Sequence, residues 1–130
     1  KKYNLPVRYK PLKLGQEFAY MSQKEFIELW SPSIFHFNMD PSHIQPGMQV
    51  IQVAAVGSIN LGGLNESHLV LFPDVATNDK KILEEKFVEY LNDEVSRFRV
   101  MEYAWEKLNE FYTYDLVKKQ ITDILGELNA

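Results

Sequence analysis

Cysteine is missing altogether from the 130 residues. That absence removes disulfide frameworks, thiolate metal sites, iron–sulfur clusters and thiol nucleophiles from consideration, and it selects no compartment. Long apolar runs are missing too: no stretch approaches the roughly 20 residues that a membrane-spanning helix needs. The opening KKYNLPVRYK lacks the apolar centre of a secretory signal. These absences predict a soluble chain with no signal peptide and no transmembrane segment, its compartment unspecified. Glycine and proline are thin, at six residues each, and neither occurs between Asp79 and Tyr112.

What is present describes one globular domain spanning residues 1–130. A hydrophobic fraction of 45% beside 25% charged residues is ordinary for a folded chain of this length. The net charge of −4 is uneven. Residues 1–76 balance six basic against six acidic side chains, whereas residues 77–130 hold eight against twelve. Clustered Lys and Arg are what a nucleic acid duplex requires. The acidic second half therefore argues against nucleic acid, except through the basic N-terminal arm.

Along the chain, Tyr3, Leu5, Val7 and Tyr9 alternate with Asn4, Pro6, Arg8 and Lys10, the period of a half-buried strand. Pro6 cannot donate to a ladder, which makes residues 1–15 an edge-strand arm. EFAYM at 17–21 reads as its continuation. SQKE at Ser22–Glu25 is a capping box that starts a short helix, stopped by Pro32. SIFHFNMD alternates again, with Phe35, Phe37 and Met39 on one face and His36, Asn38 and Asp40 on the other. MQVIQVAAV (48–56) reads as a central strand and SHLVLF (67–72) as its hairpin partner. From Asp79 to Tyr112, Leu83, Phe87, Leu91, Val95, Phe98, Met101, Trp105, Leu108 and Tyr112 step by three or four, as on one long helix that either projects in part or folds back at a kink near residues 97–100. A last helix runs from about Tyr114 to Leu128. The expected fold class is α+β: a small, mainly antiparallel sheet of four or five strands, one short helix, and a helical C-terminal segment over 77–130.

The glycines of VGSINLGGL (56–64) raise the question of a phosphate-binding loop. Such a loop needs a Lys and a Ser or Thr after its last glycine, then a helix whose amides face the anion. Gly63 and Leu64 follow Gly62, and NESHLVLF reads as a strand, so the stretch is expected to be a hairpin loop that holds no nucleotide. Asp74 with Glu84 and Lys86 spells a nuclease motif, but Glu84 and Lys86 lie in a helical pattern where residues two apart diverge.

His36, Asp40, His43 and His68 are the only set from which a metal site could be drawn, since His and carboxylate are the ligands left without Cys. Their spacing matches no motif with a mechanism. Ser58, Ser67 and His68 lack the nucleophile elbow that a serine triad requires. No cofactor is expected, and no catalytic residue is assigned. The function expected is a non-enzymatic interaction or assembly module, a structural or adaptor protomer that binds a protein partner or itself. Tyr3, Arg8, Tyr9 and Lys10 of the arm and Phe98, Met101, Trp105, Leu108 and Tyr112 of the long helix would carry the contacts. The alternatives are a metal-dependent hydrolase using His36, Asp40, His43 or His68, and a regulatory module that touches nucleic acid through the arm.

Overall fold

The computed structural model describes residues 22–38 and 48–130. The arm residues, EFAYM, Met39, Asp40 and His43 lie outside that range. The described chain is mostly helical, at 70%. Its elements are α1 (Gln23–Trp30), β1 (Phe35–Phe37), α2 (Met48–Ala55), β2 (Ile59–Leu61), α3 (Glu66–Leu71), a 3₁₀ turn (Pro73–Val75), α4 (Lys80–Asn92), α5 (Glu94–Phe111) and α6 (Tyr114–Leu128). β1 and β2 pair in parallel as the one sheet among the described residues. The expected antiparallel sheet of four or five strands is therefore wrong.

The error has a physical cause in two segments. MQVIQVAAV is apolar and rich in β-branched residues, but Gln49 and Gln52 stand three apart, which puts them on one side of a helix and on opposite faces of a strand. As α2, the segment buries Val50, Val53 and Ala54 and turns Gln49, Gln52 and Ala55 outward. SHLVLF is likewise helical. Ser67, His68 and Leu71 are buried and Glu66 and Leu69 exposed, a three-to-four spacing that apolar composition concealed. Asn65 opens α3 as its N-cap, accepting from the His68 amide at 3.1 Å. The helix between the two short strands supplies the crossover connection that their parallel pairing needs. The capping box at Ser22 does form: its hydroxyl accepts from the Glu25 amide at 3.2 Å, and its own amide donates to Glu25 Oε2 at 2.8 Å.

In register, Phe35 pairs with Ile59, His36 with Asn60 and Phe37 with Leu61. One face of the pair is thus apolar and the other carries His36 beside Asn60. On the apolar face, Phe87 of α4 meets the Phe35 ring edge-on at 5.1 Å and the Phe37 ring at 5.8 Å. The core gathers Ile59 and Leu61 with Val50 and Ala54 of α2, Leu71 and Phe72, Val75, Leu83 and Tyr90 of α4, and Ala104 of α5.

The expected single long helix is broken at Asp93, whose φ of −116° and ψ of 99° are extended. Its amide donates to Glu89 O, closing α4, and its carboxylate accepts from the amides of Val95 and Ser96, opening α5. A hydrogen bond from the Ser96 hydroxyl holds that carboxyl below its usual pKa, and the Ser96 amide acts in the same direction. Arg97 returns across the break, donating from Nη1 to Tyr90 O at 2.9 Å.

Burial raises the phenol of Tyr90 above its usual value, opposed by Lys86. The ammonium of Lys86 is itself raised, chiefly by its hydrogen bond to Glu89. Groups with raised folded-state pKa values contribute stability that is complete below their unfolded values and lost as pH climbs through the folded ones. Denaturant midpoints should therefore fall as pH is taken upward from about 10, and Tyr90→Phe should flatten that decline. An equally steep decline in the variant would remove Tyr90 as its source.

Candidate functional site

Two places concentrate features that a core does not need: a buried polar node at the Gly62–Gly63 turn, and the outer helices.

β2 ends at Leu61, and the chain passes through Gly62 and Gly63, with φ of 97° and 92°, into α3. Side chains other than glycine rarely adopt such angles. At Gly63 the demand is also steric: a Cβ there would overlap the imidazole of His68, which lies directly against the glycine backbone. His68 is fully buried. Its Nδ1 donates to Asn65 Oδ1 at 2.6 Å, since that amide oxygen, already accepting from the His68 amide, can only accept. Asn60 Nδ2 donates to Gly62 O at 2.9 Å, and Gly63 N donates to Asn78 Oδ1 at 3.1 Å. His36, Ser58, Asn60, Asn65, Ser67 and His68 are all buried here or close by along the same strands and helix. Three atoms of this group, Asn60 Oδ1, Asn65 Nδ2 and Ser67 Oγ, have no hydrogen-bond partner among the described residues. That is the pattern of groups that ordered water commonly satisfies.

The helix that a phosphate loop requires is present after all, contrary to the strand expected for NESHLVLF. The loop is nonetheless occupied by its own protein. The Gly62 amide donates to Val75 O at 3.0 Å, the Gly63 amide is taken by Asn78, and the Asn65 side chain fills the first turn of α3. No amide of the two glycines faces outward to cradle a phosphate.

The metal set is only partly placed. His36 is buried on β1 and His68 on α3, while Asp40 and His43 lie outside the described residues. Among the described residues no group of three or more His, Asp or Glu could hold an ion. The nuclease letters sit apart in role: Glu84 and Lys86 are on α4, and Lys86 pairs with Glu89 at 2.9 Å.

The helical interaction set divides. Met101, Leu108 and Tyr112 pack against the core, whereas Phe98 and Trp105 stay more than half exposed. The Trp105 indole N–H donates to Ala54 O at 3.0 Å, tying α5 to the last turn of α2. The face that α5 turns inward runs through Val100, Met101, Ala104 and Leu108. Sequence reasoning passed over Ala104 for its bulkier neighbours. A lone small residue among long ones was the signal of a close helix crossing. α6 differs from every other helix between residues 48 and 128: none of its residues is buried. Tyr114, Val117, Ile121, Ile124 and Leu128 recur along it at alternating steps of three and four, and all are exposed. No helix of the described residues is long and apolar enough to cross a membrane.

No protein family, no curated protein and no solved structure matches the chain.

Asn65→Ala should cost about 0.5–2 kcal/mol for the cap, and more for the buried imidazole N–H left without its acceptor. Gly63→Ala should cost more than about 1 kcal/mol from its φ alone. Pairing it with His68→Ala should cost less than the two separately, because the second change removes the overlap. Strict additivity in chemical denaturation would refute the steric contact. Labelled ATP with Mg²⁺ should show no saturable uptake in equilibrium dialysis, and uptake abolished by Gly62→Val would overturn the account of the loop amides.

Proposed function

We propose that the chain is a non-enzymatic interaction or assembly module that makes its protein contacts through the outer helices, α6 foremost. The single observation that supports this most is that α6 has no buried residue and yet carries an apolar stripe over its full length. Isolated helices of about 15 residues are marginal in water, and most helical stability in proteins comes from packing an amphipathic face. A contiguous apolar face of this kind normally marks an interface. The half-exposed Phe98 and Trp105 on α5 add a second apolar area. Alternation in the basic arm, with Tyr3, Arg8, Tyr9 and Lys10, is a sequence feature in keeping with strand addition to a partner's sheet.

The metal-dependent hydrolase reading draws no specific support from His36 and His68, which are not joined by a third ligand among the described residues.

The test is the paired substitution Ile121→Asp with Ile124→Asp. If α6 serves contacts outside the fold, the transition of the α2–α5 core should move by no more than about 0.5 kcal/mol, the range for surface changes. Any association that the unmodified chain shows in sedimentation velocity, with itself or with a partner protein, should be lost. A loss of several kcal/mol in the core transition would make the stripe part of the fold and sink the proposal.

A further inference from the structure

We infer that the partner of α6 is a second copy of α6, packed antiparallel about a two-fold axis that passes between residues 122 and 123. The inference rests on the assembly reading above and adds the occupant and its geometry.

The spacing of the stripe comes first. Tyr114, Val117, Ile121, Ile124 and Leu128 fall at steps of 3, 4, 3 and 4, which is the a/d pattern by which one helix inserts its side chains between those of another. All five are between 43% and 78% exposed, so the seam is open. In the antiparallel register, Ile121 of one copy lies against Ile124 of the other, and Val117 against Leu128. Each contact occurs twice, as a two-fold interface demands.

Charge then selects the direction. The first half of α6 holds Lys118 and Lys119 against Asp115, and the second half holds Asp123 and Glu127 with no basic residue. Antiparallel pairing sets the basic half level with the acidic half of the other copy. It also opposes the helix dipoles. A parallel pair would align each half with its own kind.

The flanking positions agree. Beside the seam, Gln120 of one copy stands near Glu127 of the other and can donate its amide N–H to that carboxylate. Lys118 stands near Leu125 and can lay its methylenes over it. Leu125 is 53% exposed. In the parallel arrangement Gln120 would instead face Leu125, leaving an amide against an apolar side chain. Two heptads make a short seam, below the three or four that sustain an independent coiled coil. Each helix is about 22 Å long, which puts the interface at the low end of stable sizes. Association is therefore reversible and concentration-dependent.

The absence of cysteine makes the geometry directly readable. Val117→Cys and Leu128→Cys proteins, each in the full chain, are oxidised alone and as a mixture. The antiparallel pair crosslinks in the mixture alone, because position 117 then meets 128 of the other copy and is distant from its own counterpart. Self-crosslinking of each variant, with no preference in the mixture, would establish a parallel pair and overturn the inference while leaving the assembly reading in place. A monomer throughout a concentration series in sedimentation equilibrium, with Ile121→Asp and Ile124→Asp leaving the core transition unmoved, would also overturn the second copy as occupant, again without touching that reading. A core transition lost in the aspartate variant would defeat both.

Discussion

The described fold turns on the imidazole of His68 resting against the backbone of Gly63. Only a residue without a Cβ leaves room for the ring, so β2 and α3 approach more closely than two elements bearing ordinary side chains could. That approach fixes the start of α3, because Asn65 grips both the amide and the ring of His68. It also draws the following segment inward: Gly62 and Gly63 spend their amides on Val75 and Asn78. The segment that leads into α4 is thereby held against the end of the strand pair. Buried polar groups in such a place are costly unless satisfied, yet the arrangement binds a strand, a helix and a connecting turn by direct hydrogen bonds.

How much of this the sequence disclosed depended on whether local chemistry or tertiary packing decided each segment. The capping box at Ser22 and the period of 114–128 are local, and both helices can be read directly. α2 and α3 read as strands by their β-branched and apolar composition; in α2 the spacing of Gln49 and Gln52 carries the helical period, whereas in α3 only the burial of Ser67, His68 and Leu71 reveals it. Asn92 and Asp93 are residue types that favour caps over helix interiors, but the apolar stripe runs on past them, and the break lies at Asp93 rather than in the 97–100 stretch where a kink is expected. Its cause is an aspartate placed to accept from Val95 and Ser96, an arrangement identical in sequence to a charge on a helix surface. The polar node was invisible in a different way: His36, Asn60, Asn65 and His68 are dispersed over thirty-odd positions, and only the parallel pairing and the glycine turn relate them.

The molecule divides its apolar side chains between two uses. The inward-facing ones of α2, β2, α3, α4 and α5 are consumed in one core, closed where Ala104 lets α5 come near. Those of α6 are spared from it. Because the two sets do not share residues, changes to one need not disturb the other.

Asp93 serves two helices with one residue, closing α4 by its amide and opening α5 by its carboxylate. Successive helical residues are rotated by about 100° about the axis, so the length of this junction sets which side of α5 meets the core. Adding a single residue there would turn Ala104 away from α2 and α3 and bring a bulkier side chain to the crossing. The junction is therefore permissive toward other capping side chains and unforgiving of insertion. It acts as a phase setting between the two helices.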